Sequence, residues 1–563
     1  MKLIVKHYLN SLKERDELDA VLTNLLSQMG LNVISRPGRG TRQEGVDIAA
    51  IGSIGDGPEK VYLLSVKSGD LNRNTWSSNS PQSLRPSLEQ ILDAYIPNRI
   101  PQEHKDKDIV ICLCLGGDIQ EQVRENVTGF TSKNSNKKVT FEEWNGDKIA
   151  SFILEYFLRA DLLAENARSE LQKSLALLDE PESSFSHFTS LVNSIFEGKN
   201  KNKKRVLISL RQLSLCLWIL FSWSRDVDNL ESAYLSSELS LLRAWELLKP
   251  YLNKKSKRNE EIQQAFLSVL IVYMQIINAY VNGKILPYVN IKHALSSAVH
   301  APSGLDVNLK MFDILGRISI SGIWLYYQLY QYEDVEQNLH ESFINEINIY
   351  FDSIKKLIIN NPALLSPIKD DQVIDISIAI YFLRLGENND EFIMSWLGRI
   401  VESSRFAFLT NGKYPCNLSK YEDLLDHPRE GEEYREEVNA GSVLYPMIAF
   451  WSSLIGDKTI YARVQEIKHN YLQHSNFQLW YPSEDSEDNY FTNKQPHGAV
   501  LSHVGIDNTP EKYLEQIFNE CKKSPYFESL SSVERGFWPL ILVASRCYRY
   551  PVPIFFWKSE NGQ

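Results

Sequence analysis

Residues 45–67 read GVDIAAIGSIGDGPEKVYLLSVK, and two apolar runs in them, Val46 to Ile51 and Lys60 to Lys67, have the length and β-branched content of strands. The segment between the runs, SIGDGPE, is built of turn formers, so the pair reads as an antiparallel hairpin. Asp47 near the start of the first strand and Lys67 at the end of the second then fall at the same open end, away from the turn. Upstream, Leu18, Val21, Leu22, Leu25, Leu26 and Met29 repeat at helical spacing, with Gly30 at a C-cap position, which predicts a helix over Glu17 to Met29. Asn32 to Arg36 offers a short strand closed by Pro37 and Gly38.

Downstream, Ser87 to Tyr95 is helix-like and Asp108 to Leu115 is a continuous apolar run of buried-strand length. Gly116-Gly117-Asp118 opens another helix, and a strand over Lys138 to Glu142 with a helix over Lys148 to Leu158 completes an αβββαβαβα order. The fold class expected is therefore an α/β N-terminal domain over residues 1–160. From residue 161 to 563 long apolar-periodic segments dominate, among them Val206 to Trp223, Glu260 to Asn282, Val307 to Tyr332 and Val373 to Leu385. This predicts a mostly helical second region, in the manner of stacked helical hairpins, although no clean repeat of ~34 or ~40 residues is present. A linker is expected near 198–205, where GKNKNKKR carries five basic residues, read either as a solvated loop or as a phosphate-contacting arm.

A chain of 563 residues exceeds what one hydrophobic core supports, so two or more domains are required. With 43% hydrophobic and 23% charged residues it fits neither a disordered nor a membrane-embedded class. The net charge of −11 is unevenly placed: residues 1–160 hold 20 Lys and Arg against 21 Asp and Glu, and the remainder 40 against 50. Any polyanion is therefore expected at the first region. Cys112, Cys114, Cys216, Cys416, Cys521 and Cys547 lack metal-site or redox spacing. No uninterrupted apolar signal opens the chain, and Leu213 to Trp223, between Arg211 and Arg225, is too short to span a bilayer. A cytoplasmic protein without membrane contact is expected.

The chemistry available at the hairpin's open end is a carboxylate, Asp47, beside an ammonium, Lys67. Positions 65 and 67 of one strand share a face, so Ser65 and Lys67 could converge beside Asp47, and Glu17 could approach from the first helix. Hydrolysis of a phosphodiester needs an activated water and charge stabilisation, which one or two Mg²⁺ ions supply with few protein carboxylates. The element order, with Asp47 on the second strand and a Ser65-Val66-Lys67 triplet on the third, resembles the PD-(D/E)xK nuclease superfamily and its Mrr-like restriction-endonuclease branch, over roughly residues 10–160.

By that resemblance Asp47 and Glu17 bind metal, Mg²⁺ or Mn²⁺, with the backbone carbonyl of Val66 as a further ligand, and Lys67 assists the water. Asp16 and Asp19 share the acidic patch with Glu17, which also suits a helix N-terminus. Ser65 departs from the usual Glu, Asp or Gln, and Asp70 is a replacement carboxylate or a turn residue. Arg36, Arg39 and Arg42 before Asp47, with Arg73 and Trp76 after Lys67, suit phosphate contact and base stacking. The resemblance implies a metal-dependent DNA endonuclease, regulated as in bacterial anti-phage defence effectors, with DNA as partner and a partner subunit or second copy on the helical region. The alternatives are a degenerate nuclease fold that only binds, or a ligand-sensing helical half. No phosphate loop, HExxH or nucleophile elbow occurs, and no nucleotide cofactor is expected.

Overall fold

In a computed structural model of the chain, described over residues 2–35, 44–55, 57–78, 83–156, 165–196, 202–252, 256–299, 303–331, 337–493 and 499–561, the N-terminal region is organised by a five-stranded mixed sheet. Its strands are β1 (Asn32–Ser35), β2 (Ile48–Gly52), β3 (Lys60–Lys67), β4 (Ile109–Leu115) and β5 (Val139–Trp144), in that spatial order. β1, β2 and β3 form an antiparallel meander in which Ile48 pairs with Leu64 and Ile51 with Val61. β4 and β5 then add in parallel, with Lys67 opposite Leu115. Every residue of β2 and β4 is buried, which requires cover on both faces of the sheet.

That cover is helical. On one face Ala49, Ile51, Val61, Leu63, Ile111 and Leu113 pack with Leu84, Leu88, Val123 and Val127. The two helices supplying those partners are Leu84–Gln90 and Glu121–Asn134. The other helices of the layered unit are α1 (Lys2–Ser11), α2 (Asp19–Gln28) and α3 (Gly146–Tyr156), and α1 and α2 both pack on α3. The hairpin, the parallel strands and the last helix occupy the expected positions, with ends shifted by a few residues.

The first helix differs. Instead of one helix from Glu17, the chain forms α1, then a single π-helical turn at Glu14–Leu18, then α2. Val5, Tyr8, Leu9 and Leu12 bury α1's inner side, a face that the basic residues Lys2 and Lys6 obscure in the sequence.

The chain divides into two compact units, residues 1–240 with 250–272 and residues 241–249 with 273–563. The first therefore runs well past residue 160. It includes helices Glu165–Ala176, Pro181–Phe196 and Lys203–Asp226, and the last of these packs against α1 and α2. The basic segment near 198–205 is only partly a linker, because Asn202 caps Lys203–Asp226 through Lys204 N–H, placing Lys203 to Arg205 in the helix's first turn. Residues 197–201 lie outside the described residues.

The second unit is mostly helical, with long helices at Gly304–Gln331, Gln337–Asn360, Val373–Arg384 and Asp390–Thr410. It is not a nearest-neighbour stack: Pro539–Tyr548, near the end of the chain, packs back on Gly304–Gln331. Part-buried ion pairs accompany that return, with Asp313 Oδ1 on Arg546 at 2.7 Å, Asp313 Oδ2 on Arg317 at 2.8 Å and Asp375 on Arg549 at 3.0 Å. A small sheet of Gly441–Ser442, Asn476–Pro482 and Ala499–His503 was not foreseen from the sequence. Among the described residues two segments, Lys203–Asp226 and Lys257–Tyr288, are long and apolar enough to cross a membrane by length and composition, and 83% and 50% of their apolar windows are buried within the protein.

Candidate active site at the open end of the hairpin

Asp47 is fixed by the backbone of β3 on two sides. Its N–H donates to the Leu64 carbonyl at 2.9 Å, and its Oδ2 accepts the Val66 N–H at 2.7 Å. The carboxylate thus sits against the Val66 N–H, a contact distinct from the carbonyl ligation the resemblance implies for Val66. Gly45, with φ of +82°, permits this approach. A Cβ there would stand 2.0 Å from the Ser87 carbonyl, so the chain entering Asp47 passes the helix Leu84–Gln90 at a distance only glycine allows.

Lys67, 8% exposed, donates from Nζ to Glu14 Oε1 at 2.8 Å. Glu14 retains about a third of its side-chain surface, so solvent reaches the pair from the Glu14 side. Burial is the largest influence on Asp47 and raises its carboxyl above the usual range. The Val66 N–H and the Lys67 ammonium act against the rise, whereas Glu14 and Asp19 add to it through like charge. Asp47, Glu14, Asp19 and Lys67 therefore share one electrostatic neighbourhood.

The carboxylate that meets Lys67 is thus Glu14, and Glu17, expected at this place, is turned away from it. Glu17 is 3% exposed, its Oε2 accepts the Lys13 N–H at 2.9 Å and its Oε1 faces Arg225 at 3.5 Å. The residue is sealed against the helix Lys203–Asp226. Ser65 is also corrected: it is fully buried and its Oγ has no hydrogen-bond partner, so its hydroxyl meets neither solvent nor the carboxylates. Of Asp16's side chain nothing is described.

Asp70 behaves as a loop tie. Its Oδ1 accepts the Asp118 N–H at 2.8 Å, and a Cβ on Gly117 would meet that oxygen at 2.2 Å. Around this tie lies an open cleft of about 560 Å³ lined by Lys6, Asn10, Asp70, Gly117, Asp118 and Trp223. Lys6 is neutralised within it by Asp118 at 2.8 Å and Asp147 at 2.7 Å.

Trp76 is 3% exposed and meets Phe130 edge-on at 5.8 Å. It is core, and the stacking role expected for it is withdrawn. Arg73 begins the short turn Arg73–Trp76, capped by Asn72, and is exposed. Arg36, Arg39 and Arg42 lie outside the described residues.

Among the described residues no three His, Cys, Asp or Glu side chains group closely enough to hold a metal ion by themselves. The carboxylates of this neighbourhood are those of Asp47, Glu14 and Asp19, whose like charge adds to the rise at Asp47. That set fits a largely hydrated divalent ion such as Mg²⁺, which needs one or two carboxylates, and not a protein-caged one. No family model, curated protein or solved structure matches the chain, so the functional reading stands on this geometry.

Proposed function

We propose that the N-terminal sheet unit is a restriction-endonuclease-like domain of the PD-(D/E)xK type that cuts DNA with Mg²⁺ or Mn²⁺. The observation that carries the reading is the Glu14–Lys67 ion pair at the end of β3, with the part-buried Asp47 carboxylate on β2 within electrostatic reach of both. The antiparallel meander that continues into two parallel strands supports it, because this is the element order expected of that fold.

Asp47 and Glu14 would hold the ion, with the Val66 peptide beside them. When bound, the ion supplies Lewis acidity and charge to the phosphodiester. Lys67, steadied by Glu14, orients the attacking water through its ammonium hydrogens and stabilises negative charge as it develops on the phosphate oxygens. Arg73, with Arg36, Arg39 and Arg42, contributes phosphate contacts that position the duplex. The acidic helical region is assigned the control of cutting, as in an anti-phage effector, an assignment supported by analogy alone.

Supercoiled plasmid incubated with the full chain and Mg²⁺ tests the reading. Nicking by the wild type that is lost in Asp47→Ala and Lys67→Ala is expected, and equal nicking by all three proteins overturns it. The burial of Ser65 where the family carries a carboxylate favours a second reading, a nuclease fold that binds DNA or a partner subunit without cutting. That reading requires the wild type to retain DNA binding with no Mg²⁺- or Mn²⁺-dependent cleavage.

A further inference from the structure

The π-helical turn that carries Glu14 is braced from outside the sheet. Leu18 N–H closes the turn on the Lys13 carbonyl at 3.0 Å, and Glu17 Oε2 accepts the Lys13 N–H across it at 2.9 Å. The second oxygen of Glu17 faces the Arg225 guanidinium at 3.5 Å. Arg225 belongs to the last turn of Lys203–Asp226 and also lies over the Phe221 ring, 4.7 Å from its centroid. At the other end of the turn, Glu14 holds Lys67. A path therefore runs from Arg225 to Glu17, from Glu17 to the Lys13 N–H, along the backbone to Glu14 and from Glu14 to Lys67.

A buried carboxylate needs a compensating cation, yet a buried ion pair is a weak source of stability. What such a pair can supply is geometry. A π-helical turn widens the backbone ring by one residue relative to an α-helix and is a rare form often found at functional sites. Glu14 opens this turn and reaches Lys67 from it.

We propose that Arg225 is a positioning residue for the candidate site: through Glu17 it fixes the π-helical turn, and with it the Glu14 carboxylate that aims the Lys67 ammonium. The consequence for cutting rests on the nuclease reading above, whereas the effect on Lys67 does not. The site is then incomplete in residues 1–160, because a helix beyond them sets its geometry.

The test uses the full chain as wild type, Arg225→Ala, Arg225→Lys and Glu17→Gln, each confirmed folded by its melting curve. Two quantities are read: the acylation rate of Lys67 under trace acetic anhydride, by mass spectrometry, and kcat and KM on plasmid. Arg225→Ala is expected to speed Lys67 acylation by about two- to fivefold, the scale for releasing a partly solvated ion pair. It should also lower kcat while leaving KM for DNA unchanged, and Arg225→Lys should recover part of both effects. If Arg225→Ala does not fold, Glu17→Gln must show the same acylation increase.

Unchanged Lys67 reactivity in folded Arg225→Ala and Glu17→Gln overturns the proposal, as does a rise in KM with kcat constant. Lys67 reactivity that responds to Arg225 in a chain that never cuts DNA sustains the positioning role and removes the nuclease reading. Cutting that needs Asp47 but coexists with unresponsive Lys67 does the reverse.

Discussion

Glu14 Oε1 and Lys67 Nζ stand 2.8 Å apart, joining the π-helical turn to the end of β3. If Lys67 acts on the attacking water, its aim depends on that contact. Glu14→Gln is expected to slow cutting by about 10²-fold, the scale on which ångström-level misplacement of a catalytic group acts. Glu14→Asp should fall between the two. Single-turnover cleavage rates check the order, and a Glu14→Gln rate equal to wild type would remove Glu14 from the site.

Asp47 gives a pH dependence of definite sign. Burial, with Glu14 and Asp19 adding to it, holds its carboxyl above the usual 3.8 against the lowering influence of the Val66 N–H and Lys67. An acid raised by folding contributes stability below its unfolded value and loses that contribution as pH climbs through its folded value. At neutral pH the ionised Asp47 is therefore a net cost. Asp47→Asn should melt at a higher temperature than wild type at pH 7, with the gap closing as pH falls toward 4. Calorimetric melts across that range measure it; a gap that widens on acidification would contradict the assignment.

The hairpin and its two charged residues were legible because strand periodicity and a turn-rich connector are local signals. The choice between Glu14 and Glu17 was not. Residues three apart share a face of an ordinary helix, so spacing alone cannot separate them. The π-helical turn decides between them, with Glu14 on Lys67 and Glu17 on the Lys13 N–H and facing Arg225. Trp76 illustrates a different limit: beside Arg73 and Asn72 it reads as a stacking residue, and only the arrival of Phe130 from Glu121–Asn134 turns it inward. Ser65 misleads because strand alternation gives the face of a side chain and not the depth of its cover. The long helices of the second region were visible in their periodicity, but the return of Pro539–Tyr548 onto Gly304–Gln331 depends on contacts more than 200 residues apart.

The interior position of Trp76 separates stability from binding. Trp76→Ala should cost roughly 3–5 kcal/mol, as large-to-small core changes do, while Trp76→Phe leaves DNA affinity unaltered. Arg73→Ala should instead weaken DNA binding with little change in melting and reduce the salt slope by about one. Denaturant titration and fluorescence anisotropy at several salt concentrations distinguish these outcomes. A loss of affinity confined to the Trp76 variant would restore the stacking role.

In the second unit, Asp370 accepts hydrogen bonds from Ser442 Oγ and from the Val443 and Leu444 N–H groups, so it caps the helix Leu444–Ile455. Burial pushes its carboxyl up to about 6, against the lowering effect of those three donors. Being raised by folding, the group contributes stability below its usual 3.8 and loses it as pH rises from there to about 6. The melting temperature of the wild type relative to Asp370→Asn should therefore decline across that window. A constant difference between the two proteins would show that Asp370 does not titrate there.

Titration of the full chain with Mn²⁺, followed by electron paramagnetic resonance of the free ion, bears most directly on whether Asp47 and Glu14 form a divalent-cation site. The account predicts about one tightly bound Mn²⁺ per chain, lost in Asp47→Asn, weakened in Glu14→Gln and kept in Lys67→Ala. Binding of equal strength in wild type and Asp47→Asn, or none in either, would contradict it.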